Sequence, residues 1–186
     1  MIRTFIALEL SEEIRRELTS DLSMLKRRAP LVKWVAPENL HLTLRFLGDI
    51  KENELAEIFD ALEETVAGTV PPFALEVFGF GAFPGWQHPR VVWAGCGDGA
   101  EEAISLAAAV EEACVDLGYE PERRQFRPHI TLGRVKLPAD ADGLDDAVEK
   151  LERKNYGYFD VDAVVVYMSD LRRTGPVYSP MARIEL

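Results

Sequence analysis

The chain predicts an α+β protein built from two similar lobes, and three observations carry that prediction. Apolar residues switch between period-two and helical spacing in the order strand, helix, strand, helix, strand, strand, helix, strand, helix, strand, strand. A four-residue pattern, His-x-Thr-Leu, occurs twice, at His41–Leu44 and at His129–Leu132, each time on a predicted strand that follows a helix. The two copies lie close to half of the 186 residues apart, as in a pseudo-repeat. The length suits one compact unit, so residues 1–186 read as a single bilobal domain without linker or low-complexity segment.

Each element has its own signal. Ile2 to Leu10 is nearly continuous in apolar residues, as in a buried central strand. Ser11 caps a helix that carries Glu12 and Glu13 in its first turn, Ile14, Leu18, Leu22 and Leu25 on one face, and Lys26, Arg27 and Arg28 at its carboxyl end. Pro30 stops it. Lys33 to Val35 is a short extended piece, Pro37 opens a turn, and His41 to Leu47 forms a strand closed by Gly48-Asp49. Glu52 to Val66 is a second amphipathic helix. Phe73 to Phe83, with Glu76 and several glycines, reads as a long, twisted or bulged strand. After the loop of residues 84–89, Arg90 to Ala94 is a strand. Ala100 to Leu117 is the clearest helix, ended by Gly118. A charged loop from Glu120 to Arg127 and Pro128 lead into the strand His129 to Val135. Asp140 to Lys154 holds a short acidic helix, Phe159 to Met168 a β-branched strand, and Val177 to Leu186 the last one.

Composition bounds the function. With 47% hydrophobic and 28% charged residues the chain can bury a sizeable core. A net charge of −11 argues against a dedicated binder of long nucleic acid, but not against a phosphorylated ligand or an RNA end in a locally basic cleft. Two cysteines, Cys96 and Cys114, make no disulfide framework, which points to a reducing cytoplasm. The apolar run at the start is too short for a signal peptide, and no segment approaches ~18–20 consecutive apolar residues. A monomer is expected.

The tetrads carry the chemistry. On a strand, His and Thr point to one side and the two apolar residues to the other. Two such strands at one cleft bring together two imidazoles and two hydroxyls. Histidine titrates near neutrality, so a pair can hold one neutral and one protonated member, the arrangement that in-line phosphodiester chemistry requires. A threonine two residues on sits ~6.5–7 Å along the same face, within reach of a phosphate oxygen. Arg45 shares that face by alternation. Arg134 falls on the wrong face unless Gly133 makes a bulge. The competing readings are plainer: a lone strand histidine is usually a satisfied, half-buried ring, and a zinc site lacks a third ligand, since His88 lies in a Pro/Gly loop without ligand spacing. No metal or other cofactor is therefore expected. Trp34, Trp86 and Trp93 read as packing rather than base-stacking residues, and neither cysteine has a histidine companion.

The segment from Lys33 to Gly48, Lys-Trp-Val-Ala-Pro-Glu-Asn-Leu-His-Leu-Thr-Leu-Arg-Phe-Leu-Gly, resembles the first motif of the 2H phosphoesterase superfamily, in particular its RNA 2′,3′-cyclic phosphodiesterases, also called 2′-5′ RNA ligases. Phe126 to Arg134 is similar to that family's second motif, and Ser169-Asp-Leu with Gly175 to Tyr178 to its closing hairpin. The likeness covers almost the whole chain. It implies two lobes, each an antiparallel sheet flanked by helices, around a central water-filled cleft. It also implies metal-independent hydrolysis of RNA ends or nucleotides bearing a 2′,3′-cyclic phosphate to 2′-phosphates. By analogy His41 protonates the leaving 3′ oxygen and His129 activates water, although the near-symmetric tetrads do not themselves assign these roles. Thr43 and Thr131 would bind the phosphate, assisted by Arg134 or Arg45. Two alternatives stay open: the reverse reaction, sealing 2′-5′ bonds with the same residues, and an RNA-end or nucleotide-binding module without turnover.

Overall fold

The computed structural model describes residues 1–173 and 175–186. Its first elements follow local chemistry. β1 (Ile2–Leu8) is buried from Thr4 onward. Ser11 has extended backbone and its hydroxyl accepts the Ile14 amide at 3.3 Å, capping α1 (Glu12–Arg28). The buried stripe of α1 is Ile14, Leu18, Leu22 and Leu25, each side chain contributing about 1.5–3 kcal/mol of burial. β2 (Lys33–Trp34) and a 3-10 turn (Pro37–Asn39) lead to β3 (Leu42–Ile50), which runs through Gly48 rather than ending at it. A second 3-10 turn (Glu52–Glu54) opens α2 (Leu55–Val66). β4 (Phe73–Phe83), β5 (Val91–Cys96), α3 (Ala100–Asp116) and β6 (His129–Arg134) follow, all close to the bounds their sequence signals predict.

The carboxyl-terminal third departs from the sequence reading. The acidic segment is a 3-10 turn (Pro138–Leu144) followed by only seven residues of α4 (Asp145–Leu151). The single strand expected at Phe159–Met168 is two, β7 (Asn155–Val161) and β8 (Ala163–Arg172), parted at Asp162. β7 was hidden because its pairing with β4 skips Tyr156 next to Gly157, which has φ 104°, so its apolar residues do not alternate. β9 (Gly175–Glu185) closes the chain as the partner of β8.

All strand pairs are antiparallel, in the order β7-β4-β5-β6-β3-β1-β8-β9, with β2 added beside β6. The lobes are thus β6-β5-β4-β7 and β3-β1-β8-β9. They are not the two halves of the chain, because β8 and β9 return to lie beside β1. The helices cross over as well: α1 packs on β7, while α3 packs on α2, β3 and β4. Among the described residues, the buried apolar side chains of both lobes form one cluster. No helix is long and apolar enough to cross a membrane.

Candidate active site

The lobes meet where β3 and β6 pair, and this seam is made of the two tetrads. The bridge is Leu42 opposite Ile130, both fully buried. In antiparallel register, one step either way sets His41 opposite Thr131 and Thr43 opposite His129. Side chains on the two strands alternate in phase, so all four polar groups share the face opposite the core. Burial agrees: from each histidine onward the two strands read half-buried, buried, half-buried, buried, buried, exposed.

The last three positions decide the arginines. In the β1–β3 pairing Ala7 faces Thr43 and Ile6 faces Arg45, leaving Leu44 as an extra residue. In the β5–β6 pairing Trp93 faces Thr131 and Val92 faces Gly133, leaving Leu132 extra in the same way. Each bulge reverses the alternation beyond it. Arg45 is therefore not on the His41 face, as strict alternation predicts, but turned into the protein at 5% exposure. Its Nη1 lies 2.9 Å from a Glu111 carboxylate oxygen and 3.2 Å from one of Glu122, contacts that act by charge rather than as aligned hydrogen bonds, and its Nη2 donates to the Glu120 carbonyl. Arg134, three residues after Thr131, is brought by the bulge at Leu132-Gly133 to the histidine face, and its cation lowers the pKa of both imidazoles. Trp34 and Val32 pack over this bulge and leave no room for a side chain: a Cβ on Gly133 would meet Trp34 at 2.7 Å and Val32 at 2.9 Å.

Each imidazole is held by a backbone carbonyl two residues upstream. His41 Nδ1 lies 2.8 Å from the Asn39 carbonyl and His129 Nδ1 2.7 Å from that of Arg127. A carbonyl only accepts, so both Nδ1 atoms carry hydrogen and both Nε2 atoms hold the titrating position. His41 Nε2 meets the Thr43 hydroxyl at 2.9 Å, whereas His129 Nε2 has no hydrogen-bond partner among the described residues. Burial pushes both rings below the ordinary histidine value, and the carbonyl hydrogen bonds partly offset this. For His41 the charges of Arg15, Arg134 and His129 push further down, for His129 that of Arg134.

The supports around these rings carry no motif of their own. Arg15 of α1 donates to the carbonyls of Pro37 and Leu40, and the Asn39 side chain donates to the Pro176 carbonyl, so the turn before His41 is tied to both α1 and β9. His41 packs on Phe5 (centroids 4.8 Å) and edge-on to Tyr178 (5.3 Å), and His129 edge-on to Phe83 (5.0 Å). Of these supports, Pro37, Asn39 and Leu40 belong to the first motif and Pro176 and Tyr178 to the closing hairpin, whereas Arg15, Phe5 and Phe83 lie outside both. The tryptophans pack as expected: Trp34 over Gly133, Trp93 against Gly81 and Phe83, Trp86 against Phe80. His88 is exposed in the loop between β4 and β5.

Known proteins are similar to this chain in sequence and in fold. The sequence profile of the 2′-5′ RNA ligase superfamily matches residues 8–173. The RNA 2′,3′-cyclic phosphodiesterase of Methanothermobacter thermautotrophicus is 36% identical over 180 residues, covering 97% of this chain and 96% of its own length. That of Archaeoglobus fulgidus is 35% identical over 99% of this chain and 100% of its own. Among solved structures, TT0787 of Thermus thermophilus superimposes with a TM-score of 0.82 at 30% identity, covering 100% of this chain and 98% of its own. E. coli LigT complexed with 3′-AMP superimposes with a TM-score of 0.78 at 26% identity, with the same coverage. With two His-x-Thr-Leu strands paired at the seam of two lobes, this chain belongs to the 2′-5′ RNA ligase superfamily of 2H phosphoesterases.

Proposed function

We propose that the chain is an RNA 2′,3′-cyclic phosphodiesterase, which opens a terminal 2′,3′-cyclic phosphate to a 2′-phosphomonoester by acid–base catalysis between His41 and His129. The observation that carries this is the register of β3 against β6, which sets each histidine beside the other strand's threonine on one face. The names of the relatives supply the substrate class.

The different surroundings of the two Nε2 atoms support one assignment of roles. His129 Nε2, without a hydrogen-bond partner among the described residues, is the base: its lone pair takes a proton from water as the water oxygen attacks phosphorus in line with the P–O3′ bond. His41, protonated, is the acid: Nε2–H passes its proton to O3′ as that bond breaks, leaving a 3′-hydroxyl and a 2′-phosphate. The cycle ends with His129 protonated and His41 neutral, and exchange with solvent restores both. Thr43 and Thr131 donate to the non-bridging oxygens, and Arg134 offsets the charge that builds there in the transition state. Arg45 has no such role. The two imidazoles themselves supply the base and the acid, so this mechanism calls for no metal.

The test is an assay on 2′,3′-cyclic and 3′,5′-cyclic nucleotides with EDTA present. The expected result is hydrolysis of the 2′,3′-cyclic compounds to 2′-phosphates, unaffected by the chelator. Activity that EDTA abolishes and zinc or manganese restores, or a 3′-phosphate product, removes this mechanism. Sealing of a 2′-5′ bond uses the same groups with an RNA 5′-hydroxyl in place of water as the nucleophile, the P–O3′ bond breaking as before, and water in the open seam favours hydrolysis.

A further inference from the structure

The two imidazoles are seated alike, each on a carbonyl two residues upstream, yet the chain reaches them differently. Before His129 stands Pro128, which locks its own φ and restricts Arg127, the residue whose carbonyl holds the ring. Before His41 stands Leu40, which imposes no such limit. The carbonyl that holds His41 belongs to Asn39, the last residue of a three-residue 3-10 turn (Pro37–Asn39). So short a turn leaves its final carbonyls without intrahelical donors. β3 begins only at Leu42, and among the described residues no backbone N–H donates to the Leu40 carbonyl.

Arg15 supplies the missing donor from another element. Its Nη1 donates to the Pro37 carbonyl at 2.9 Å and to the Leu40 carbonyl at 3.2 Å, so the two bonds straddle Asn39. The Leu40 carbonyl belongs to the peptide plane that ends at the His41 nitrogen, and this plane is rigid. One guanidinium thus fixes both the plane in front of His41 and the turn that aims the Asn39 carbonyl at Nδ1. The Arg15 side chain is 17% exposed, with the largely exposed Glu12 3.3 Å from its Nε. Its base is firm: α1 buries Ile14 and Leu18 in the core and packs on β7, where Lys154 meets Asp21 at 2.7 Å. The brace therefore runs from a helix resting on the edge strand of one lobe to the histidine of the other.

We propose that Arg15 is a positioning residue for His41: it holds the turn before β3 so that the ring stays seated on the Asn39 carbonyl, with hydrogen on Nδ1 and Nε2 beside the Thr43 hydroxyl. Which nitrogen of a neutral imidazole carries the proton is set by the bond the other nitrogen makes. Loosening the turn lets Nδ1 lose its hydrogen to Nε2 and lets the ring swing, which takes Nε2 off the line to the leaving oxygen. The Arg15 cation also favours release of the His41 proton, as do Arg134 and the His129 ring. The catalytic consequence rests on the proposed function; the effect on the ring does not.

The test pairs imidazole 15N spectra of the free protein at about pH 8, where both rings are neutral, with kinetics on adenosine 2′,3′-cyclic phosphate. In wild type both rings should carry hydrogen on Nδ1. Arg15→Gln keeps a good helix former and should give a mixture of tautomers at His41 alone, with kcat lower by ~10²-fold and KM near wild type. Arg15→Lys, which keeps a cation and donors for the two carbonyls, should recover most of both. Lys154→Gln, which loosens α1 at its ion pair with Asp21, should lower Tm and leave the His41 spectrum and kcat unchanged. A wild-type tautomer at His41 in Arg15→Gln, an equal change at His129, or the same change in Lys154→Gln overturns the role. If wild type does not hydrolyse the nucleotide, the proposed function fails, and the spectra alone decide whether Arg15 positions the ring.

Discussion

The two tetrad strands are nearly the same object, and the place each gives its arginine explains why only one of these two cations faces the cleft. Both present His and Thr outward, bury Leu or Ile behind them, and carry an extra residue after the threonine. Arginine occupies the second position after Thr43 but the third after Thr131. Past a bulge the second position points inward and the third outward. One arginine thus becomes a buried clamp on α3 and the following loop, while the other becomes a cation in the cleft. A shift of one residue in sequence separates a structural ion pair from a cation on the histidine face.

The widest split should come from the histidines. His41→Ala and His129→Ala should each lower kcat by ~10²–10⁴-fold on a 2′,3′-cyclic nucleotide. The double variant should lose far less than the product, because the pair acts as a unit. Near-normal kcat in either single variant would take that histidine out of the chemistry.

The arginines sharpen the contrast. Arg134→Ala should cost ~10²-fold in kcat/KM, as for a lost transition-state donor, with little change in Tm. Arg45→Ala should do the reverse, leaving kcat near wild type while lowering stability by about 1–3 kcal/mol, since Glu111 and Glu122 lose their shared partner. Equal kinetic losses in the two variants would break the comparison. Gly133→Ala tests the bulge itself: the new Cβ against Trp34 should cost about 1–3 kcal/mol in thermal unfolding, and displacement of Arg134 should lower kcat/KM further.

The smallest effect is in pH. Burial lowers both imidazoles, so kcat/KM, which reports the free enzyme, should be bell-shaped with its centre below about 6.5. Because Arg134 lowers both values, Arg134→Ala should move the residual profile toward alkaline pH. A wild-type plateau extending above pH 9 would rule out an imidazolium acid. The same shifts act on folding: rings held neutral stabilise the fold fully above the unfolded value near 6.5 and less as pH falls through the folded values. Urea midpoints should therefore decline in mild acid, less so in His41→Gln/His129→Gln.

Much of this molecule was legible in the chain because the signals are local. Ser11 with two glutamates starts α1, Gly118 ends α3, a continuous apolar run marks β1, and alternating residues mark β4 and β6. The tetrads were legible as well, since strand geometry alone puts His and Thr on one side. β7 escaped because a bulge at Gly157 breaks its period, and the carbonyls of Asn39 and Arg127 escaped because backbone groups leave no mark in a residue pattern.

The sequence by itself determined the α+β class, most element bounds and the four polar groups of the seam, all consequences of spacing within a dozen residues. Only the tertiary structure decided that β8 and β9 complete the first lobe, that β3 and β6 lie side by side, and which arginine faces the cleft. Those depend on strand pairing between distant segments, where a single unpaired residue turns every side chain after it to the other face.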